Sequence, residues 1–327
     1  VTGGNGISAH LARPSGWFQI GWSAEYPAGT VRPLRYFGRD LVGYRGEAGL
    51  AVLDGHCPHM GAHLGHGGVV RGDDIECPFH GWRWSPDGRN TAIAGTDRTL
   101  PRLCARSWPV RERSGVVYLW HDETGAAPYY DPPHIPEAGH PDWYQAWPGA
   151  VHTVESARLF PQYVLENTVD LTHLRFVHGW DDVPVTEDFA AGEASFRSSF
   201  GGHLTTRTGR APIRNTTEAW GVSCMLSRLE GLRETVQLMC TTPVDDNTCD
   251  VRFSVFVRRA PDDPPGETPG LVRAIVRAQT EGEWAKDAPI WEHLAYVDNP
   301  AVIGDEAAAF VALRRWSRRF YPLVAAT

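Results

Sequence analysis

The sequence predicts an α+β chain in two unequal parts, and three observations predict it. From Trp17 to about Asp122, short β-type runs are punctuated by Gly, Pro and Asp at the spacing of a small all-β domain. From residue 151 onward, a helical segment, a meander of strand candidates and a closing helix follow one another, which is the pattern of an antiparallel sheet laid against helices. Between the two lies a stretch rich in Pro, Gly and Ala that neither continues a strand nor makes a helix. The expected organisation is a first domain over 1–122, a linker over 123–150 and a second domain over 151–327.

In the first part, WFQI at 17–20, PLRYFG at 33–38, DLVGYR at 40–45 and LAVLD at 50–54 read as strands. Trp108-Pro109-Val110 and the run from Gly115 to Trp120 return the chain to that sheet. The second part opens with PQYVLENTVDLTHLRFVH, 161–178. There Val164, Leu165, Leu171, Leu174 and Val177 recur at near-helical spacing, with Pro161 in an allowed first-turn position. Strand candidates come next around 193–200, 203–208, 216–229, 233–241, 251–258 and 271–280. A closing helix is expected from about Asp305 to Phe320, with Ala307, Phe310, Val311 and Leu313 inward and the arginines outward. No internal repeat is visible.

Composition narrows the class of function. A formal net charge of −8 without a long basic run argues against nucleic acid or an anionic membrane as the main partner. No apolar stretch approaches the length needed to span a bilayer. The first residues, VTGGNGISAH, lack the charged and apolar regions of a secretory signal, so a cytoplasmic protein is expected. Of six cysteines, Cys104, Cys224, Cys240 and Cys249 show no motif spacing and are expected as buried thiols.

The other two cysteines carry chemistry. Cys57-Pro58-His59 and Cys77-Pro78-Phe79-His80 form a C-x-H and a C-x-x-H pair. Zinc sites usually take two cysteines from one loop and two histidines from another. Here each loop supplies one thiolate and one imidazole. That is the requirement of a Rieske [2Fe–2S] centre, where two Cys hold one iron and two His the other. Gly61, Gly65, Gly67 and Gly68 after the first pair, and Gly81 after the second, allow tight turns around an inorganic core. His56, His63 and His66 fall outside both frames and read as loop histidines.

Further along, Asp170, His173 and His178 form D-x-x-H-x-x-x-x-H. Two imidazoles and one carboxylate with open positions make the facial triad of non-haem Fe(II) oxygenases. Histidines five apart do not stack on a regular helix face, so the helix is expected to widen or end there, with Gly179 at the terminus. By residue type the third ligand is open among Glu281, Glu283, Asp287, Glu292 and Asp298. Asn167 is too weak a donor to be essential, but it is spaced to sit near an open coordination position. Asp170 is spaced to accept the ring N–H of His173 and orient it.

The chain resembles the Rieske non-haem iron oxygenases, from Gly16-Trp17-Phe18 through Leu34-Arg35-Tyr36-Phe37-Gly38 to Leu313-Arg314-Arg315-Trp316. Met60 after His59, where many members have Arg, resembles the subgroup of 3-ketosteroid 9α-hydroxylase oxygenase components and, more distantly, the cholesterol 7-desaturases. The resemblance implies an amino-terminal all-β Rieske domain and a helix-grip (START-like) catalytic domain with an antiparallel sheet and long helices. It implies Cys57, His59, Cys77 and His80 as cluster ligands, and His173, His178 and Asp287 as iron ligands. Asp287 is chosen because Lys286-Asp287-Ala288-Pro289-Ile290-Trp291, with Asp298-Asn299-Pro300 after it, is similar to the iron-binding segment of that subgroup. In the family the aspartate matching Asp170 also reaches a cluster histidine of a neighbouring subunit.

The same resemblance implies an O₂-dependent monooxygenase component, a homotrimer, fed by a separate NAD(P)H-dependent flavin and iron–sulfur reductase. Its substrate would be a small apolar molecule, a 3-ketosteroid first of all. Desaturation, demethylation or oxidative cyclisation of another natural product or an aromatic substrate uses the same metal parts. A pure Rieske electron carrier would not need His173, His178 and Asp287. A lipid-binding module would not consume oxygen.

Overall fold

The computed structural model describes residues 11–206 and 209–322. Residues 1–10, the end of the expected strand at 203–208 and residues 323–327 lie outside them. Eleven short strands make up the first part: β1 (Gly16–Trp22), β2 (Val31–Tyr36), β3 (Arg39–Arg45), β4 (Leu50–Asp54), β5 (Val69–Arg71), β6 (Asp74–Glu76), β7 (Arg83–Trp84), β8 (Asn90–Ala92), β9 (Ser107–Trp108), β10 (Val110–Arg113) and β11 (Val116–His121). They pair into three antiparallel sheets ordered β1-β11-β10, β2-β3-β4-β9 and β5-β6-β7-β8. The third sheet is the one that carries the two Cys/His loops.

The expected strand at 33–38 stops at Tyr36. Phe37 (φ 56) and Gly38 (φ 70) instead form the two-residue turn to β3, since a hairpin of this length needs positive φ at both central residues. Phenylalanine tolerates the position because its surroundings hold it. Its ring stacks on His121 at 3.8 Å, and its N–H donates to Pro243 O at 2.9 Å, docking the hairpin on the second domain.

His121 is itself buried, with Nδ1 bonded to Pro14 O at 2.8 Å. Burial is the main cause that lowers its pKa from 6.5 to about 4. The fold therefore holds it neutral, while the unfolded chain takes up a proton below pH 6.5. Its contribution, on the order of 3 kcal/mol, is present above pH 6.5 and lost as pH falls toward about 4. His121→Gln, which keeps an N–H donor, is expected to show a shallower loss of urea stability between pH 7 and 5 than the parent. An unchanged slope would contradict this.

Residues 123–150 do not behave as a free linker. Trp17 Nε1 donates to Tyr130 O at 2.6 Å, Ile135 is fully buried, and Glu137 pairs with Arg228 at 3.2 Å. The stretch is a strap across both parts, and its end forms β12 (Trp143–Tyr144).

The second part is built on an eight-stranded antiparallel sheet. Its strands are β12, β13 (Val151–Ala157), β14 (Val185–Ala191), β15 (Ser195–Thr206), β16 (Gly209–Trp220), β17 (Cys224–Glu230), β18 (Thr235–Asp245) and β19 (Thr248–Arg258). The order is β12-β19-β18-β17-β16-β15-β14, with β13 also on β19. The candidates at 193–200 and 203–208 are therefore one strand, and 216–229 is a hairpin turning at Gly221 (φ 56). Strands β13 and β14 carry too few apolar residues to stand out in sequence.

Alternation along the central strands gives the sheet two apolar faces. Cys224, Leu226, Val236, Leu238 and Phe256 pack on Trp17, Tyr118 and Trp120 of the first part. Met225, Met239 and Phe253 point the other way, toward the helices. The sheet is thus the wall between the two domains, and the helix side is where the site lies.

The helices differ from expectation in three places. Residues 161–178 form two short helices, α1 (Pro161–Glu166) and α2 (Thr172–Phe176). At the break Thr168 Oγ1 turns back to bond Leu165 O at 2.8 Å, competing with the helical ladder. The strand expected at 271–280 is helical: α3 (Gly270–Arg277) runs through a π-turn at Ala278–Gly282 into α4 (Trp284–Trp291). Its β-branched residues misled, but Val272, Ile275 and Val276 fall at helical spacing and cover Val255 and Val257 of β19. The closing helix is α5 (Ala307–Ser317). It buries Ala309, Phe310, Leu313 and Trp316, whereas Val311 is exposed and Arg314 is turned in against Glu166.

Among the four remaining cysteines, Cys224, Cys240 and Cys249 are buried as expected, whereas Cys104 is exposed. It sits in a surface turn with Sγ at 3.6 Å from Pro101 O.

Candidate metal centres and cavity

The two Cys/His loops are built alike. Cys57 N–H donates to Ala62 O at 2.8 Å and Gly61 N–H to Cys57 O at 2.9 Å. In the second loop Cys77 N–H donates to Trp82 O at 2.8 Å and Gly81 N–H to Cys77 O at 3.0 Å. Gly61 (φ 76) and Gly81 (φ 67) supply the left-handed residue that closes each turn. The turns bury both thiols and bring His59 and His80 to the outside, with ring centroids 4.9 Å apart. His59 is fixed by stacking on Trp82 at 4.0 Å. The Cys57 thiol is pushed up, by burial first and by Cys77 beside it, against the pull of the His59 N–H. A buried Cys57 thiol resists ionisation until a cation arrives, and an iron core reverses that balance. The donor set fits a Rieske cluster: two sulfurs inside, two imidazoles outside.

His56, His63 and His66 cluster by ring contact beside the first loop. His63 Nδ1 accepts the Gly65 N–H at 3.0 Å, so this histidine shapes the loop.

On the helix side, one nitrogen of His173, one of His178 and one carboxylate oxygen of Asp287 all lie within 4.8 Å of one another. The break between α1 and α2 is what makes this possible. It turns His173 toward His178, 5.1 Å between ring centroids, past the end of α2. Gly179 (φ 74) then reverses the chain, and Trp180 N–H bonds Leu174 O at 3.1 Å. Asp287 comes from α4, and its Oδ1 is 3.1 Å from His178 Nε2. Of the other carboxylates considered, Glu281 pairs with Arg277 at 3.7 Å, while Glu292 and Asp298 are exposed. Glu283 is close, but on the opposite side of the His178 ring, against Nδ1.

The electrostatics suit a cation. Burial lowers His173, as it would any imidazole. His178 is buried too, which opposes charge, yet Asp287 and Glu283 hold it up at about 9. A buried site that favours a positive charge between carboxylates fits a divalent metal.

Asp170 has a different part from the one expected. His173 Nδ1 bonds the backbone O of Asp170, whereas the carboxylate is 3.8 Å away and 40 % exposed. The main chain orients the ring, and the carboxylate is left facing outward. Burial and nearby Glu306 raise the Asp170 carboxyl, and His173 lowers it. Asn167 ends α1 and lines the cavity beside His173, His178 and Asp287.

Sequence reasoning missed the clamp that holds this segment. Glu306, at the start of α5, accepts from Leu171 N at 2.7 Å and Thr172 N at 2.9 Å, capping α2. Arg314 in the same helix grips Glu166 with two bonds, 2.8 and 2.9 Å. Both contacts span well over a hundred residues and leave no local signal. The cavity itself, about 260 Å³, opens on the three donors and is walled by side chains such as Phe200, Ile213, Met225, Leu229, Phe253 and Trp284. A few polar groups interrupt it, among them Asn215, Ser227 and Gln237.

Comparisons with known proteins agree with this architecture. Residues 16–108 match the Rieske [2Fe-2S] domain, and residues 119–321 match the 3-ketosteroid 9alpha-hydroxylase C-terminal domain. The chain is 31% identical over 339 residues to the 3-ketosteroid-9-alpha-monooxygenase oxygenase component of Mycobacterium tuberculosis, covering 95% of this chain and 82% of that one. It is 38% identical over 169 residues to the cholesterol 7-desaturase nvd of Bombyx mori, covering 50% of this chain and 35% of the relative. In fold it is similar to dicamba monooxygenase bound to dicamba, with a TM-score of 0.70, 20% identity and coverage of 95% and 97%. It is also similar to NdmB of Pseudomonas putida CBB5, with a TM-score of 0.71, 18% identity and coverage of 95% and 91%.

Proposed function

Since this chain belongs to the 3-ketosteroid 9α-hydroxylase family of Rieske oxygenases, we propose that it hydroxylates a 3-ketosteroid or a similarly flat apolar molecule. It is an O₂-dependent Rieske-type non-haem iron oxygenase. In this reading Cys57, His59, Cys77 and His80 hold the [2Fe–2S] cluster, and His173, His178 and Asp287 hold Fe(II). When bound, the cluster relays electrons and the iron activates O₂ toward an unactivated C–H bond.

The observation that carries the reading is the apolar cavity opening on the His173, His178 and Asp287 donors. The walls bind the flat skeleton, and burial of apolar surface drives entry. Phe253 and Trp284, their rings edge to face at 5.9 Å, form part of the apolar wall of the same cavity. Asn167, which lines the same cavity as the three donors, would hold a water or a polar substituent without competing as a ligand. The backbone of Asp170 keeps His173 in one tautomer, with Nε2 free for the metal. The protein's work is thus positioning: it presents one C–H and limits uncoupled oxygen reduction.

A separate NAD(P)H-dependent reductase supplies electrons in this reading, and the chain works as a homotrimer in the cytoplasm. No helix among the described residues is long and apolar enough to cross a membrane. The test is turnover of a steroid and terpenoid panel with a surrogate reductase. Hydroxylated product from a 3-ketosteroid is expected, and ligand-independent oxygen uptake across the whole panel would overturn the assignment.

A further inference from the structure

We propose that Glu283 is a positioning residue for the mononuclear site: it takes the Nδ1–H of His178 and so turns Nε2 toward the metal. The inference rests on the assignment of His178 and Asp287 as ligands. The His178 side chain is only 6 % exposed, so water cannot satisfy both ring nitrogens. Nε2 faces Asp287 Oδ1 at 3.1 Å, and Glu283 Oε2 lies against Nδ1. That contact is not aligned along the N–H bond, which leaves Nδ1 a buried donor with this carboxylate as the nearby acceptor. A small rotation of the Glu283 side chain completes the bond.

The local chain makes the arrangement specific. Glu283 and Asp287 are four apart and share one helix face, so a single element brackets both nitrogens of one ring. The π-turn at Ala278–Gly282 immediately precedes Glu283 and sets which face of α4 meets His178. The second Glu283 oxygen is held by Lys286 Nζ at 3.0 Å, which limits its freedom to swing onto the metal. Glu283 also falls outside the group of donor atoms that converge within 4.8 Å.

The two histidines are therefore supported differently. His173 Nδ1 bonds a neutral backbone carbonyl, whereas His178 Nδ1 faces a carboxylate. A carboxylate behind an imidazole raises its basicity and fixes its tautomer, which strengthens the metal bond. His178 becomes the tighter of the two nitrogen ligands.

The test uses full-length protein with its cluster intact, stripped of mononuclear metal and titrated anaerobically with Co(II) against a competing chelator. Glu283→Gln keeps the shape and removes the charge, and the apparent Kd is expected to rise about 10- to 100-fold. Cluster absorbance and Tm should stay at parent values, as they should for Glu281→Gln, whose Kd should not move. In the Co(II)-loaded parent the His178 Nδ1 proton is expected as a paramagnetically shifted NMR signal, and Glu283→Ala should abolish it. A Kd within twofold of the parent in Glu283→Gln, or a persistent signal in Glu283→Ala, overturns the proposal. His178→Ala separates the two levels. If it binds Co(II) as the parent does, the ligand assignment itself fails; if it does not, a null result at Glu283 counts against Glu283 alone.

Discussion

Replacing His178 or Asp287 by alanine is expected to leave the cluster absorption intact while removing the mononuclear iron and all hydroxylation. The donors come from α2, the turn after it and α4, and among the described residues no other group joins their convergence within 4.8 Å. Losing one leaves two protein donors, too few to hold Fe(II) against water. His173→Ala should behave alike. The cluster loops lie in another domain, so their spectrum serves as an internal control for folding. Iron content per chain is the measurement. Full iron and full activity in Asp287→Ala would show that a different carboxylate completes the site. Glu281→Ala and Glu292→Ala should lose nothing, because both side chains are solvated.

The second large effect is expected at Asp170. Its backbone carbonyl already orients His173, so the side chain can be changed without disturbing the ring. The carboxylate is 40 % exposed and stands 3.8 Å from His173 Nδ1. In a head-to-tail trimer of the kind the family implies, it would face His80 of the next copy and accept that ring's N–H, while the backbone carbonyl of the same residue holds His173. Asp170→Asn keeps the shape but removes the charge and turns one acceptor into a donor, so the His80 N–H loses its charged partner. The variant is expected to keep the parent's oligomeric state, cluster and iron and to be reduced normally. Turnover should fall by roughly two orders of magnitude, with single-turnover oxidation of the cluster slowed to match. Cluster oxidation at the parent rate would remove the side chain from the electron path.

Much of this site was legible because its signals are local. The cluster loops carry their ligands, prolines and turn glycines within a few residues of each other, and the structure repeats the same turn at Cys57 and Cys77. Local pattern failed where one residue's fate is decided by distant ones. The break in 161–178 depends on Thr168 bonding back and on Glu306 and Arg314 reaching in from α5. The helix at 270–277 was hidden by β-branched residues whose helical spacing matters only against β19. Phe37 was read into a strand because its turn conformation rests on His121 and Pro243. Glu283 was one of five possible carboxylates by type; the family segment singled out Asp287, and the placement of the His178 ring between the two gives Glu283 its separate position.

In the proposed function, the cavity beside His173, His178 and Asp287 is where O₂ and electrons from the cluster meet an apolar substrate. The direct measurement is a single turnover of pre-reduced protein with a 3-ketosteroid under ¹⁸O₂, with the steroid analysed by mass spectrometry. One ¹⁸O atom is expected in a hydroxylated steroid, formed as the cluster absorption returns to its oxidised form. Cluster oxidation at the same rate with and without steroid, and no ¹⁸O in any recovered steroid, would contradict it.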